Sequence, residues 1–271
     1  MAESAINKAR GPHPFGLTWK ARMHQEHADM LMDFGVYRMQ KGDVWEDGNA
    51  LEKAILLVYG RIRFEWDGQE HEEERENCFD VPPTALHGDR ACHLKVTCLS
   101  DEAEINILRT DNEVLFGNRL YLPKDTPDEY RGAGLMRETS TRIVRTIFDD
   151  TNAPKANLVL GEVIGFPGKW SSYPPHHHPQ PEIYYYKCNP ENGFGYGELG
   201  DDVVKVQQND TVFITPGLTH PHCTAPGYAL WYLWAIRHLD GDRYHQPDYP
   251  VFLKEHLWVM EKDSVYFGDR H

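Results

Sequence analysis

Long apolar runs are missing from this chain. The longest, around Ala54 to Tyr59, is strand-sized and far short of the ~20 residues a membrane helix needs. No membrane partner is expected. Basic residues are scarce beside acidic ones, 28 Lys+Arg against 42 Asp+Glu, for a formal net charge of −14. That balance repels polyanions and argues against nucleic acid and anionic membranes. Cysteine is sparse too. The five (Cys78, Cys92, Cys98, Cys188, Cys223) are odd in number and widely spaced, which fits reduced thiols and predicts a cytoplasmic protein. The segment Met1 to Phe15 has no apolar signal core, so secretion is not expected. Helical periodicity is short as well, with one weak helix predicted over Tyr249 to Glu261.

What is present is strand. Ala54 to Trp66, Lys95 to Cys98, Asn157 to Ile164, Glu182 to Lys187, Thr211 to Ile214 and Ala229 to Ile236 are rich in β-branched and aromatic residues and bounded by Gly, Pro, Asn and Asp. Many short strands with Gly/Pro turns predict an all-β sandwich or barrel. At 271 residues with 40% hydrophobic content, the chain can bury a sizeable core in one large domain or two ordinary ones. Two weak matches suggest an internal duplication. Glu52 and the apolar residues after it resemble Glu182 and its strand, 130 positions on; Phe79-x-x-Pro82 with His87 resembles Phe213-x-x-Pro216 with His220, 134 positions on. Leu122 to Gly134, rich in Pro, Gly and charge, reads as linker. The expected units are 1–135 and 136–271. The acidic run Glu70 to Glu76 reads as a solvated hairpin tip.

The chemistry concentrates in Ser171-Ser-Tyr-Pro-Pro-His176-His177-His178-Pro-Gln-Pro-Glu182. In an extended chain His176 and His178 share a face and His177 takes the other. Glu182 follows a Pro-Gln-Pro turn, and His220 comes from the later segment Thr215-Pro-Gly-Leu-Thr-His220-Pro-His222. Imidazoles with one carboxylate suit a divalent first-row ion, zinc or manganese first, with iron and nickel also compatible. Four such ligands would leave adjacent positions open to a chelating substrate. The first unit has Val44-Trp-Glu-Asp-Gly-Asn where a His pair would fall. It is read as scaffold, with His87 and His93 structural or interfacial.

The spacing resembles the cupin pattern, His-x-His-x₃-Glu followed by a Pro/Gly turn carrying a further His. That resemblance implies a bicupin, two double-stranded β-helix (jelly-roll) barrels. Lys169-Trp-Ser-Ser-Tyr-Pro-Pro-His176-x-His178, Glu182-Ile-Tyr-Tyr-Tyr, Asn192-Gly-Phe-Gly195 and Ala225-Pro-Gly-Tyr228 further resemble the 5-deoxy-glucuronate isomerase family of myo-inositol catabolism. The resemblance implies metal-dependent aldose–ketose isomerisation of a sugar acid, with His176, His178, Glu182 and His220 as ligands. It departs in the short Pro-Gln-Pro turn and in His177 and His222, which leaves a related uronate or a pentose open as substrate.

For proton transfer, strand parity puts Tyr184 and Tyr186 on the Glu182 face, and His222 lies two positions past His220. A sugar carboxylate calls for a cation, and Arg142, Arg145, Lys169, Lys187 and Arg237 are the candidates. A cupin oxygenase and a non-catalytic sugar-binding bicupin are the alternatives. The partner expected is a small sugar acid, and a homo-oligomer is left open.

Overall fold

The computed structural model describes residues 5–9 and 11–270. Parts of the Met1 to Phe15 segment therefore lie outside the described residues. The β-branched and aromatic segments form strands as expected, every ladder between them is antiparallel, and the fold is all-β. Among the described residues no helix is long and apolar enough to cross a membrane.

One order of pairing occurs twice. In the N-terminal half Ala85–Gly88, Glu52–Trp66, Glu102–Thr110, Asp33–Gln40 and Gly16–Ala21 lie side by side. In the C-terminal half Thr211–Ile214, Glu182–Asn189, Ala229–Arg237, Leu158–Gly165 and Arg142–Phe148 repeat that order. Each half adds a second group. The first joins Val44–Asp47 to Leu94–Cys98, and both Leu94–Cys98 and Gln69–Arg75 to the far end of Glu52–Trp66. The second joins Trp170–Ser171, His222–Thr224, Phe194–Leu199 and Asp202–Gln207.

Strand alternation divides the apolar side chains among three clusters. Ala54, Leu56 and Val58 on one side, with Ile183, Tyr185, Phe213 and Trp231 on the other, build a core shared between the halves. Ile55 and Leu57 point the other way, into the interior of the N-terminal half. Tyr184, Tyr186 and Cys188 point into the interior of the C-terminal half. The central strands are therefore buried on both faces, and so read as near-continuous apolar runs.

Several local expectations need correcting. Of Glu70 to Glu76, all but Glu76 lie in the body of a strand (Gln69–Arg75) rather than at a tip. The tip is Asp67-Gly68, both with positive φ, while Glu72 pairs with Arg61 and Arg63 across the ladder. The stretch Leu122 to Gly134 contains a strand, Glu129–Arg131, paired with Arg142–Phe148. Ile6–Asn7 crosses to pair with Thr211–Ile214. The segment Tyr249 to Glu261 holds a two-residue strand, Val251–Phe252, and a short 3₁₀ helix, Lys254–Met260, because it packs on the second half instead of propagating as a helix.

The repeat holds in its strand order, and its sequence register shifts. His87 lies on a strand paired with Glu52–Trp66, whereas His220 lies in the turn beyond the strand Thr211–Ile214. Glu52 shares the parity of Ala54 and faces the junction of the halves, while Glu182 shares the parity of Tyr184 and faces inward. A one-residue slip in an alternating strand reverses the face of every side chain. The residue with the parity of Ile55 is Lys53.

Candidate metal centre

Four short segments build the site. Glu182 opens the strand Glu182–Asn189, and its parity turns it into the C-terminal interior with Tyr184 and Tyr186. His176–His177 is a two-residue strand held by Val251–Phe252, and His178 follows it. The turn between them is anchored by Gln180, buried, whose Nε2 donates to the Asp242 carbonyl at 2.7 Å. The Gly217 N–H donates to the His178 carbonyl at 2.9 Å, and the positive φ of Gly217 (84°) lets the chain turn there toward His220.

His178, Glu182 and His220 converge, with ligand atoms all within 4.8 Å of one another and all three residues buried. His178 Nε2 and His220 Nε2 each lie 3.2 Å from Glu182 Oε2. The opposite nitrogens are committed. His178 Nδ1 meets the Gln180 carbonyl and His220 Nδ1 the Leu218 carbonyl, each at 2.9 Å. A carbonyl accepts only an N–H, so Nδ1 carries a proton in both rings and Nε2 is the nitrogen turned to the carboxylate. Two imidazole nitrogens and a carboxylate oxygen converging in a buried site form a donor set that a cation can occupy once Nε2 is deprotonated, and Nδ1–H bonded to a carbonyl is how a metal-ligating His is oriented. The donor set thus fits a divalent ion.

His176 stands beside the trio. Its ring meets that of His220 edge-on at 4.8 Å between centroids. Its Nδ1 lies 3.2 Å from the Pro174 carbonyl, which leaves Nε2 free. Burial, reinforced by the neighbouring His220, lowers its pKa to about 3, so the ring is neutral. For Glu182, burial works against the charged form, but His178 and His220 outweigh it and hold the carboxyl at about 2.

The trio and His176 line a cavity of about 280 Å³. Tyr184 and Tyr232 form one wall, and Tyr244 and Phe252 reach over from the C-terminal segment. The Tyr184 hydroxyl lies 3.3 Å from Ser172 Oγ, and that of Tyr232 donates to Ser171 Oγ at 2.9 Å. Burial raises the pKa of both phenols, so both carry their proton at neutral pH. Tyr232 and Tyr244 escaped the sequence reading. Tyr232 had the signal of strand parity, on a strand adjoining that of Glu182; Tyr244 lies past the last long strand, where no periodicity marks it.

Tyr186 and His222 lie beneath this cavity and do not line it. His222 is fully buried; its Nδ1–H donates to the His220 carbonyl at 2.7 Å, and its Nε2 accepts from the Tyr186 hydroxyl at 2.6 Å. Burial lowers the His222 pKa to about 4, outweighing the hydrogen bond to the His220 carbonyl, which raises it. His177 also stays off the cavity.

Among the candidate cations, only Arg142 lines it. Arg145 and Lys187 have the opposite parity and face the junction, where Arg145 meets Glu162 and Asp128, and Lys187 meets Glu104 at 2.7 Å. Lys187 also borders a larger cavity there, about 960 Å³, whose Arg38 and Glu102 are likewise paired. Arg237 bonds Thr110 and its own turn, and Lys169 lies over Phe166. In the first half, His93 is exposed beside Glu46 and His87 is buried against Glu52 at 2.9 Å.

Comparison with known proteins follows this geometry. The 5-deoxy-glucuronate isomerase of Geobacillus thermodenitrificans (strain NG80-2) is 27% identical over 256 residues, covering 84% of this chain and 86% of that protein. That of Listeria monocytogenes serotype 4a (strain HCC23) is 26% identical and covers 92% and 94%. An IolB-like protein from Salmonella typhimurium LT2 superposes with a TM-score of 0.72 at 23% identity, over 84% of this chain and 89% of that one. Oxalate decarboxylase from Bacillus subtilis shares the fold at a TM-score of 0.62 and 12% identity, over 95% and 80%. The family model described as KduI/IolB matches residues 10–259. The chain belongs to the KduI/IolB family.

Proposed function

We propose that this chain is a metal-dependent aldose–ketose isomerase of a sugar acid, with 5-deoxy-glucuronate as substrate and 5-dehydro-2-deoxy-gluconate as product. The observation that carries this reading is the buried His178–Glu182–His220 trio on the wall of a cavity, in a chain whose relatives are named 5-deoxy-glucuronate isomerase. The repeated strand order supports two cupin units, a first that serves as scaffold and a second that carries the site.

His176, through its free Nε2, is proposed as the fourth ligand. Zinc and manganese suit this nitrogen and oxygen set, and iron and nickel are compatible with it. The chemistry such an ion supplies when bound is polarisation of a carbonyl and the neighbouring hydroxyl, which acidifies the carbon between them. The isomerisation is internally balanced. The proton on the hydroxyl-bearing carbon leaves, and its electron pair closes the double bond of an enediol as the aldehyde π pair moves to its oxygen and takes a proton. The neighbouring hydroxyl then gives up its proton to become the ketone while a proton returns at the former aldehyde carbon. No oxidant is consumed. Tyr184, a neutral phenol in the cavity wall, is placed to exchange a proton with a substrate oxygen. His222 and Tyr186 are proposed as positioning residues, since His222 donates to the His220 carbonyl and Tyr186 donates to His222, and neither lines the cavity.

The test is incubation of metal-loaded protein with 5-deoxy-glucuronate in the absence of oxygen, followed by carbon NMR. Loss of the aldehyde signal with growth of a ketone, abolished in H176A and H220A, is the expected result. Inert protein with metal confirmed bound, or turnover that requires oxygen, would overturn the isomerase reading.

A further inference from the structure

A strongly acidic protein has little difficulty finding partners for its arginines. The deep ones here are all matched: Arg75 and Arg145 to Glu162, Arg109 to Asp33 and Asp47. Arg142 is the exception in the cavity wall. It is half-buried, its guanidinium donates to the carbonyl and hydroxyl of Ser140 at 2.9 and 3.3 Å, and among the described residues no carboxylate lies within ion-pair distance. Those acceptors are neutral and leave the charge uncompensated.

Strand geometry makes the position more costly still. Arg142 is directly opposite Arg131 in the ladder between Glu129–Arg131 and Arg142–Phe148. Like charges facing each other across an antiparallel pair repel. Both line the cavity, and Arg131 is steadied by Glu129 at 3.0 Å. Parity aims Arg142, with Val144, toward the C-terminal interior. Burial lowers its pKa, and Arg131 adds to that. Two guanidiniums turned into one pocket, one of them unpaired and partly desolvated, make a fork that fits a planar carboxylate.

We propose that Arg142, assisted by Arg131, receives the substrate's carboxylate and so selects a sugar acid over a neutral sugar. This rests on the isomerase reading for the identity of the substrate, and it deepens that reading by naming the residue that determines specificity. The carboxylate takes no part in the proton transfer. Its binding therefore acts on substrate capture more than on the chemical step.

The test compares metal-loaded wild type, R142Q and R142K on 5-deoxy-glucuronate and on 5-deoxy-glucose, its neutral counterpart, by kinetics and by calorimetric binding. In R142Q, KM for the acid is expected to rise about 10- to 100-fold, with kcat changed far less and the neutral sugar unaffected. R142K recovers part of the loss, because it keeps the charge and loses the fork. A wild-type preference for the acid that survives in R142Q and R142K of normal melting temperature overturns the proposal. Should R142Q fail to fold, R142K decides. Should wild type isomerise neither sugar, the isomerase reading falls. Calorimetry then judges Arg142 alone: acid binding weakened in the variants upholds the anion site, and unchanged binding rejects it.

Discussion

The two halves share a strand order and use their interiors in opposite ways. In the C-terminal interior Glu182 meets two imidazole nitrogens whose outer N–H groups are already spent on carbonyls. In the N-terminal interior the residue that opens the same strand with inward parity is Lys53. Its ammonium, fully buried, donates to the Asn49 and Cys92 carbonyls at 2.6 and 2.8 Å and lies 3.9 Å from Asp47. One interior carries its own cation; the other brings together a donor set that fits one. The difference teaches that a buried charged group must be matched, and that a fixed ammonium satisfies that demand without leaving coordination sites for a substrate.

Glu52 sharpens the contrast. It faces the junction, where His87 Nε2 lies 2.9 Å away, Asn112 Nδ2 donates at 2.6 Å, and the N–H groups of Asn157 and Leu158 donate at 2.7 and 3.0 Å. Two of these partners come from the C-terminal half. Glu52 is therefore a fastening between the halves, whereas Glu182 is the proposed ligand.

The largest effect expected from breaking the comparison is on turnover. E182Q should lose metal, measured by elemental analysis, and lower kcat/KM on the order of a thousandfold, while the protein still melts cooperatively. Retained activity in metal-free E182Q would contradict the assignment of the centre.

Next comes stability. K53M leaves Asp47 short of one partner, and E52Q strips the junction of its anion, so each should cost about 3 kcal/mol in urea unfolding with metal content unchanged. Metal loss without destabilisation would place the ion in the first interior if seen in K53M, and at the junction if seen in E52Q.

Acid should weaken the metal-free protein in a definite window. Burial keeps His13 and His238 neutral, lowering their pKa to about 3 and about 4 from 6.5, with nearby cations contributing. Between those values and 6.5 the unfolded chain binds more protons than the folded one, so stability rises with pH. It is fully present above 6.5 and lost as pH falls toward 4. Melting temperatures across that range should drop in wild type and drop less steeply in H238N, where His13, His176 and His222 still contribute.

The smallest effect is expected for Y186F. It removes the hydroxyl that donates to His222 Nε2, at a cost of about 1 kcal/mol, with turnover lowered less than about tenfold. A loss as large as that of E182Q would place Tyr186 among the reacting groups and abolish its distinction from Tyr184.

Much of the site was legible because its residues lie close in sequence. His176, His178 and Glu182 belong to one short segment, and alternation alone turned Glu182 and Tyr184 to a common face. Arg142 and Arg145 were harder to separate by sequence. Three positions apart on one strand they take opposite faces, and only the location of the second half's interior tells which face matters. The misplaced repeat has a similar origin, since Glu52 and Lys53 both stand at the head of an apolar run and composition does not reveal which one turns inward.

The sequence by itself determined the all-β character, the acidic surface and the His/Glu cluster, because alternation, turn residues and ligand spacing are local properties. Tertiary structure decided which cation faces the cavity, that Tyr232 and Tyr244 join its lining, and that Lys53 occupies the first interior. Those outcomes depend on strand register and on segments brought together from distant parts of the chain. A one-residue change of register reverses a side chain's face while leaving the local pattern almost unaltered.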